Sequence, residues 1–134
     1  MRLVAMVVAI LAGTGAATAQ QVDISQAPIQ QDIALTCTFT TECMDTDGCS
    51  DTSYTVTIEG LAGGVTAEQL VVEAELISDV ETVTVTGTLT DEILRLNAFE
   101  AAMPQMLVNT PDGARLTAHI ASVPLAITYA GTCE

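Results

Sequence analysis

From Ile33 onward, apolar and polar residues alternate with a period of two, the mark of strands that bury one face. In residues 33–40, Ile33, Leu35, Cys37 and Phe39 take one side and Thr36, Thr38 and Thr40 the other. Residues 53–60 repeat the pattern, with Tyr54, Val56 and Ile58 set against Thr55, Thr57 and Glu59. Further on, Leu70, Val72, Ala74 and Leu76 oppose Glu73 and Glu75, and Val83 and Val85 alternate with Thr82, Thr84 and Thr86. The wealth of Val and Thr agrees with strand preference. Near the C-terminus, Thr110-Pro111-Asp112-Gly113 divides two apolar runs and predicts a hairpin. Proline presets φ there, aspartate tolerates the turn and glycine accepts a positive φ. Beyond that turn Leu116, Ala118 and Ile120 face inward and Arg115, Thr117 and His119 outward, and a last strand turns Leu125, Ile127 and Tyr129 inward.

Two segments carry mixed signals. Thr66-Ala67-Glu68-Gln69 has the form of a capping box and offers a short helix through Leu76. Residues 93–99 read as strand, with a helical turn allowed over 100–103 before Pro104 stops it. About seven to eight short strands result, so the fold class is all-β, a small antiparallel barrel or sandwich. Its core is built mainly from Val, Leu, Ile, Ala and Met. The aromatics Phe39, Tyr54, Phe99 and Tyr129 are few.

The ends change the picture. Arg2, an unbroken apolar run from Leu3 to Ala12 and a small-residue stretch closing on Ala17-Thr18-Ala19 have the layout of a secretory signal peptide, residues 1–19, cut after Ala19. The apolar run is too short to span a bilayer, and no second one follows, so no membrane span is expected after the cut. Residues 20–32, glutamine-rich and carrying Pro28, read as a flexible polar leader, and residues 33–134 as a single β domain. The location that follows is periplasmic or secreted.

Charge narrows the partners. Loss of Arg2 with the leader takes the formal net charge from −14 to −15, leaving Arg95 and Arg115 against 17 acids, with no lysine. Such a chain repels phosphate backbones, which excludes nucleic acid, and disfavours anionic lipid surfaces. A cationic protein or a small ligand remains as partner, beside the plain role of charge in solubility.

Four cysteines, Cys37, Cys43, Cys49 and Cys133, in an exported chain imply a disulfide framework. Their spacing fits neither a zinc site nor a redox C-x-x-C pair. Of the three pairings, Cys37–Cys133 with Cys43–Cys49 is preferred. The second closes a short turn, and Cys37 and Cys133 share the parity of the inward residues on the first and last strands.

The stretch between Cys43 and Asp51 is acidic and raises calcium chemistry. With Gly48 in the sixth position of an EF-hand loop, Asp47 and Asp45 fall on the fifth and third, but Cys43 and Tyr54 occupy the first and twelfth. Both end ligands are wrong for an EF-hand. A different calcium site on Asp45, Asp47 and Asp51 is the sharper alternative, and a solvated Asp/Gly turn the plainer one. No catalytic constellation stands out: His119 is the sole histidine, no serine lies in a G-x-S-x-G elbow, and no phosphate loop is present. No cofactor is expected.

The segments "CTFTTEC", "TPDGARLTAHI" and "YAGTCE" resemble those of small exported proteins common in alphaproteobacteria, over about the last 100 residues. That resemblance implies compartment and architecture and brings no activity with it. In outline the chain is also similar to periplasmic inhibitors of C-type lysozyme, small exported β-barrels stapled by cysteines. The functional expectation is a non-enzymatic exported binding module acting through a barrel mouth or loop tips. The alternatives are an acidic inhibitor or sequestering protein for a basic secreted hydrolase, and a calcium-binding envelope protein.

Overall fold

The structure is a computed structural model and describes residues 23–134. The expected signal peptide and residues 20–22 lie outside the described residues. Eight strands follow one another: β1 (Ile29–Met44), β2 (Gly48–Gly64), β3 (Gln69–Ile77), β4 (Thr82–Thr90), β5 (Ile93–Ala98), β6 (Gln105–Thr110), β7 (Gly113–Ile120) and β8 (Leu125–Cys133). Each pairs antiparallel with the next, and β8 pairs back onto β1, so the sheet closes into an up-and-down barrel rather than a sandwich. Closure removes the free edges that an open sheet must protect.

Alternation determines what fills the barrel. Ile33, Cys37, Phe39, Val56, Ile58, Leu70, Val72, Leu76, Val85, Leu94, Leu96, Leu107 and Leu116 are buried inside. Each large aliphatic or aromatic side chain taken from water contributes about 1.5–3 kcal/mol. The outer face is rich in threonine and glutamate, the reverse of a membrane-spanning barrel, whose outer band is apolar. No helix among the described residues is long and apolar enough to cross a membrane. Small residues let the wall bend. A Cβ on inward-facing Gly87 would collide with the Arg95 backbone, and one on Gly131 with the backbone of Thr38 and Phe39.

A bulge interrupts β1. Phe39 lies opposite Tyr54 and Gly131, yet Thr41 lies opposite Asp51 and Ala130, so the register slips around Thr40. The slip exchanges the faces of everything beyond it. Glu42, opposite inward-packed Tyr129, turns inside, and Cys43, opposite Cys49, turns outside.

Disulfides join Cys37 to Cys133 and Cys43 to Cys49. The first lies inside the seam where β8 meets β1. That seam runs on to the last residue, with Thr36 and Glu134 exchanging two backbone hydrogen bonds of 2.8 and 3.0 Å.

Several local expectations are corrected. Residues 23–32 are structured rather than a flexible leader. A 3-10 turn at Ile24–Gln26 buries Ile24 against β2, and β1 opens at Ile29 because Gly60–Gly64 of β2 are there to pair with it. Gln30 Nε2 fastens the turn by donating to the carbonyls of Ser25 and Ala27 at 2.8 and 3.1 Å. Two strands are not short: β1 and β2 span 16 and 17 residues. Thr66 opens no helix, since Leu70, Val72, Ala74 and Leu76 bury as one strand face. No helical turn forms over residues 100–103, and β5 stops at Ala98, leaving Phe99 in a bend and 77% exposed.

Candidate functional site

The turns after the even strands, together with the start of β1, surround one end of the barrel. A cavity of about 570 Å³ opens there, within the size range of small-molecule sites. Its walls are Ile33 and Leu35 from β1, Leu70 from β3, Leu89 from β4 and Leu94 from β5. These are inward positions near the rim; Ile33, Leu70 and Leu94 are buried, and Leu35 and Leu89 are half-buried. Opposite the first half of β1, β8 has already ended, since its pairing begins at Cys37.

The polar members of the mouth are Gln31, Asp32, Asp91, Glu92 and Asn109. Asn109 is paired with Leu94 and Ala114, both buried inward residues, so it too points into the barrel. Its Oδ1 is buried and has no hydrogen-bond partner. An acceptor left in that condition costs about 1–3 kcal/mol. Beside it, the two-residue turn from β4 to β5 is made of Asp91 and Glu92 at φ 49° and 66°, the only non-glycine residues with positive φ among those described. Such a turn prefers Asn-Gly or Asp-Gly, and side chains held in the left-handed region are strained. Backbone strain of this kind gathers at binding and catalytic sites.

At the opposite end a second cavity, of about 590 Å³, opens beside the start of β4, lined by Glu81, Val83, Asn97, Phe99 and Glu100 among others. Phe39, Tyr54 and Tyr129 cluster there, with Phe39 stacked on Tyr54 at 6.1 Å and Tyr129 tilted against both, 4.9 Å from Tyr54 and 6.0 Å from Phe39. Burial pushes the Tyr129 phenol up to about 12, helped by the inward Glu42 carboxylate, which accepts from the phenol and adds its negative charge, and by Tyr54. Gln105, inward on β6 and buried, donates from Nε2 to Glu81 at 2.9 Å.

The acids weighed for calcium are spread out. Asp45 Oδ2 accepts the Ala126 amide at 2.9 Å and fastens the hairpin tip to β8. Asp47 lies exposed in the tip, and Asp51 is paired with Thr41 on the strand beyond the Cys43–Cys49 bridge. Among the described residues no group of three His, Cys, Asp or Glu side chains is placed to hold a metal ion. His119 is exposed on β7 and borders a shallow hollow with Asp45, Ile120, Pro124 and Leu125, which contains no serine. Arg95 and Arg115 lie on the outer wall, one on each side of Val108.

Compared with known proteins, the chain matches no family model, no curated protein and no solved structure. The mouth was absent from the sequence reading as a set of residues. One signal for it was available: Asn109 has the parity of Leu107, which makes it a polar residue on an inward face.

Proposed function

We propose that this protein is a non-enzymatic, exported β-barrel that holds a small ligand in its mouth. The observation that carries this reading is the cavity of about 570 Å³ at the mouth, where the apolar side chains of Leu35, Leu70 and Leu89 meet the polar ones of Gln31, Asp32 and Asn109. A concave site that combines apolar walls with a few polar groups is the usual form of a small-molecule site. Export is supported by the N-terminal leader pattern together with two disulfides. Native mass spectrometry of the protein isolated from its own envelope tests the reading. A small molecule retained by the wild type and lost from Asn109→Leu is the expected result. Turnover that depends on a particular side chain would overturn it.

A second reading, an acidic inhibitor of a basic secreted hydrolase, draws on the end opposite the mouth. The three loops there each show an exposed apolar residue, Val80, Phe99 and Val123. Asp79, Glu81 and Glu100 stand in the same loops, with Asp45 and Asp47 in the hairpin tip. Apolar tips among carboxylates suit a basic partner. Binding to a lysozyme-like enzyme that weakens with salt is the expected sign, and absence of binding at any salt concentration rules it out.

A further inference from the structure

We propose that the first half of β1 is a docking edge for an extended basic polypeptide segment, which adds to the sheet in line with β8. The seam that closes the barrel covers only part of β1. β8 pairs with it from Cys37 to Met44, and Glu134 prolongs the seam by one residue, to Thr36. From Ile29 to Leu35, β1 pairs with β2 on one side and, among the described residues, with no strand on the other. The inference concerns main-chain groups of this rim and stands apart from the small-ligand reading.

The direction of the free groups follows from Thr36. Its N–H donates to the Glu134 carbonyl and its carbonyl accepts from the Glu134 N–H, so both point to the β8 side. Such hydrogen-bonded positions recur at every second residue of an antiparallel strand. The N–H and C=O of Gln30, Asp32 and Ala34 therefore point the same way, and none of them has a protein partner among the described residues. A row of this kind is where an incoming strand pairs. The edge is also held ready. Gln30 Nε2 bonds the carbonyls of Ser25 and Ala27, and Ile33 is buried. A strand docked there gains main-chain bonds without reshaping the barrel.

Charge selects the occupant. Asp32 stands exposed in the middle of the free row, and Asp91 and Glu92 border the same mouth. A second copy of this chain, laid antiparallel about Asp32, would set that carboxylate against its own copy, and like charges directly opposite are unfavourable. A segment with lysine or arginine opposite Asp32 makes the favourable pair. Side chains alternate between faces along a strand. The residues flanking that cation therefore lie opposite Gln31 and Ile33 and turn toward the mouth, where Leu35, Leu70 and Leu89 suit apolar side chains. The favoured segment alternates basic and apolar residues.

Three forms of one capped heptapeptide, alternating lysine and valine, test this by calorimetry on the intact barrel. One is unmodified, one is N-methylated on the main chain of its lysines, and one on that of its valines. Methylating the lysine nitrogens removes the donors aimed at the edge and keeps the charge, so it is expected to weaken binding roughly tenfold or more. Methylating the valine nitrogens should change little. Ala34→Pro removes an edge donor at an exposed position, where proline is tolerated, and should abolish binding while the unfolding midpoint stays near that of the wild type. Asp32→Lys should transfer the preference to a peptide alternating glutamate and valine. Equal affinity for the lysine-methylated form would show binding by charge alone and overturn the inference, as would failure of the unmodified peptide to bind. A dimer of the peptide-free wild type in sedimentation, dissolved by Ala34→Pro, would make a second copy the occupant and overturn it too. Each of these failures leaves the small-ligand reading standing.

Discussion

Two amides on one strand divide the molecule. Gln105 and Asn109 lie on the same inward face of β6, one at each end of the barrel. Gln105 has a partner, Glu81 at 2.9 Å, while the Oδ1 of Asn109 has none. The contrast extends to the surroundings. At the Gln105 end the hairpin is bridged by Cys43–Cys49, Asp45 holds Ala126, and Tyr129 leans on Glu42. At the Asn109 end a turn is strained, and Leu35 and Leu89 at the rim are only half-buried. The Gln105 amide is bonded within the protein, and the Asn109 acceptor on the same strand face is left without a partner.

The largest test of that division concerns the seam between the ends. Removing Cys37–Cys133, whose cysteines are 96 residues apart, should lower unfolding free energy by about 5 kcal/mol in chemical denaturation. Removing Cys43–Cys49, with a separation of 6, should cost about 2 kcal/mol. Equal losses would mean that the seam bridge contributes no more to stability than the hairpin bridge.

Changes at the mouth should have the opposite sign. Asp91→Asn with Glu92→Gly should stabilise the ligand-free protein by about 1–2 kcal/mol, because both residues then suit the left-handed turn. Asn109→Leu should stabilise it by about 1 kcal/mol by removing an unpaired buried acceptor. Destabilisation by both changes would show that the mouth is as internally settled as the other end.

The smallest expected effect separates the ends by pH. The Tyr129 phenol is raised in the folded state to about 12 from its ordinary value near 10. The stability this brings is whole below pH 10 and is lost as pH rises through about 12, because the unfolded chain releases its proton first. Melting temperatures across that window should fall for the wild type, and Tyr129→Phe should remove Tyr129's share of the fall.

Strand faces were legible wherever pairing stayed regular. Leu70 to Leu76 displays its buried side in the sequence, and so does the turn at Thr110 to Gly113. What was hidden depended on partners distant in the chain. Barrel closure rests on β8 meeting β1, which only the matching inward parity of Cys37 and Cys133 hinted at, leaving a sandwich open beside the barrel. The bulge at Thr40 exchanges faces, so Glu42 enters the barrel and Cys43 leaves it, though parity read straight through places them the other way. Ile24 and Ile29 stood among glutamines, too sparse to show a period, and are ordered by β2 rather than by their own neighbours. The mouth was hidden for a related reason. Its residues come from β1, β3, β4, β5 and β6 and become neighbours only after the sheet curls.

The seam disulfide also has a mechanical consequence. Because Cys37 and Cys133 are covalently joined, a pull applied to the two ends of the chain bypasses the 95 residues between them. Traction on the N-terminal segment straightens the first half of β1 and meets the bridge at Cys37, while on the other side the bridge is met at Cys133. In the oxidised state a puller gains only the slack outside the ring, while the remainder of the barrel bears no tension. Single-molecule stretching should therefore give a short extension before reduction and a long one after it, and a protease that unravels its substrate from the N-terminal side would be stopped at Cys37 until the bridge is reduced.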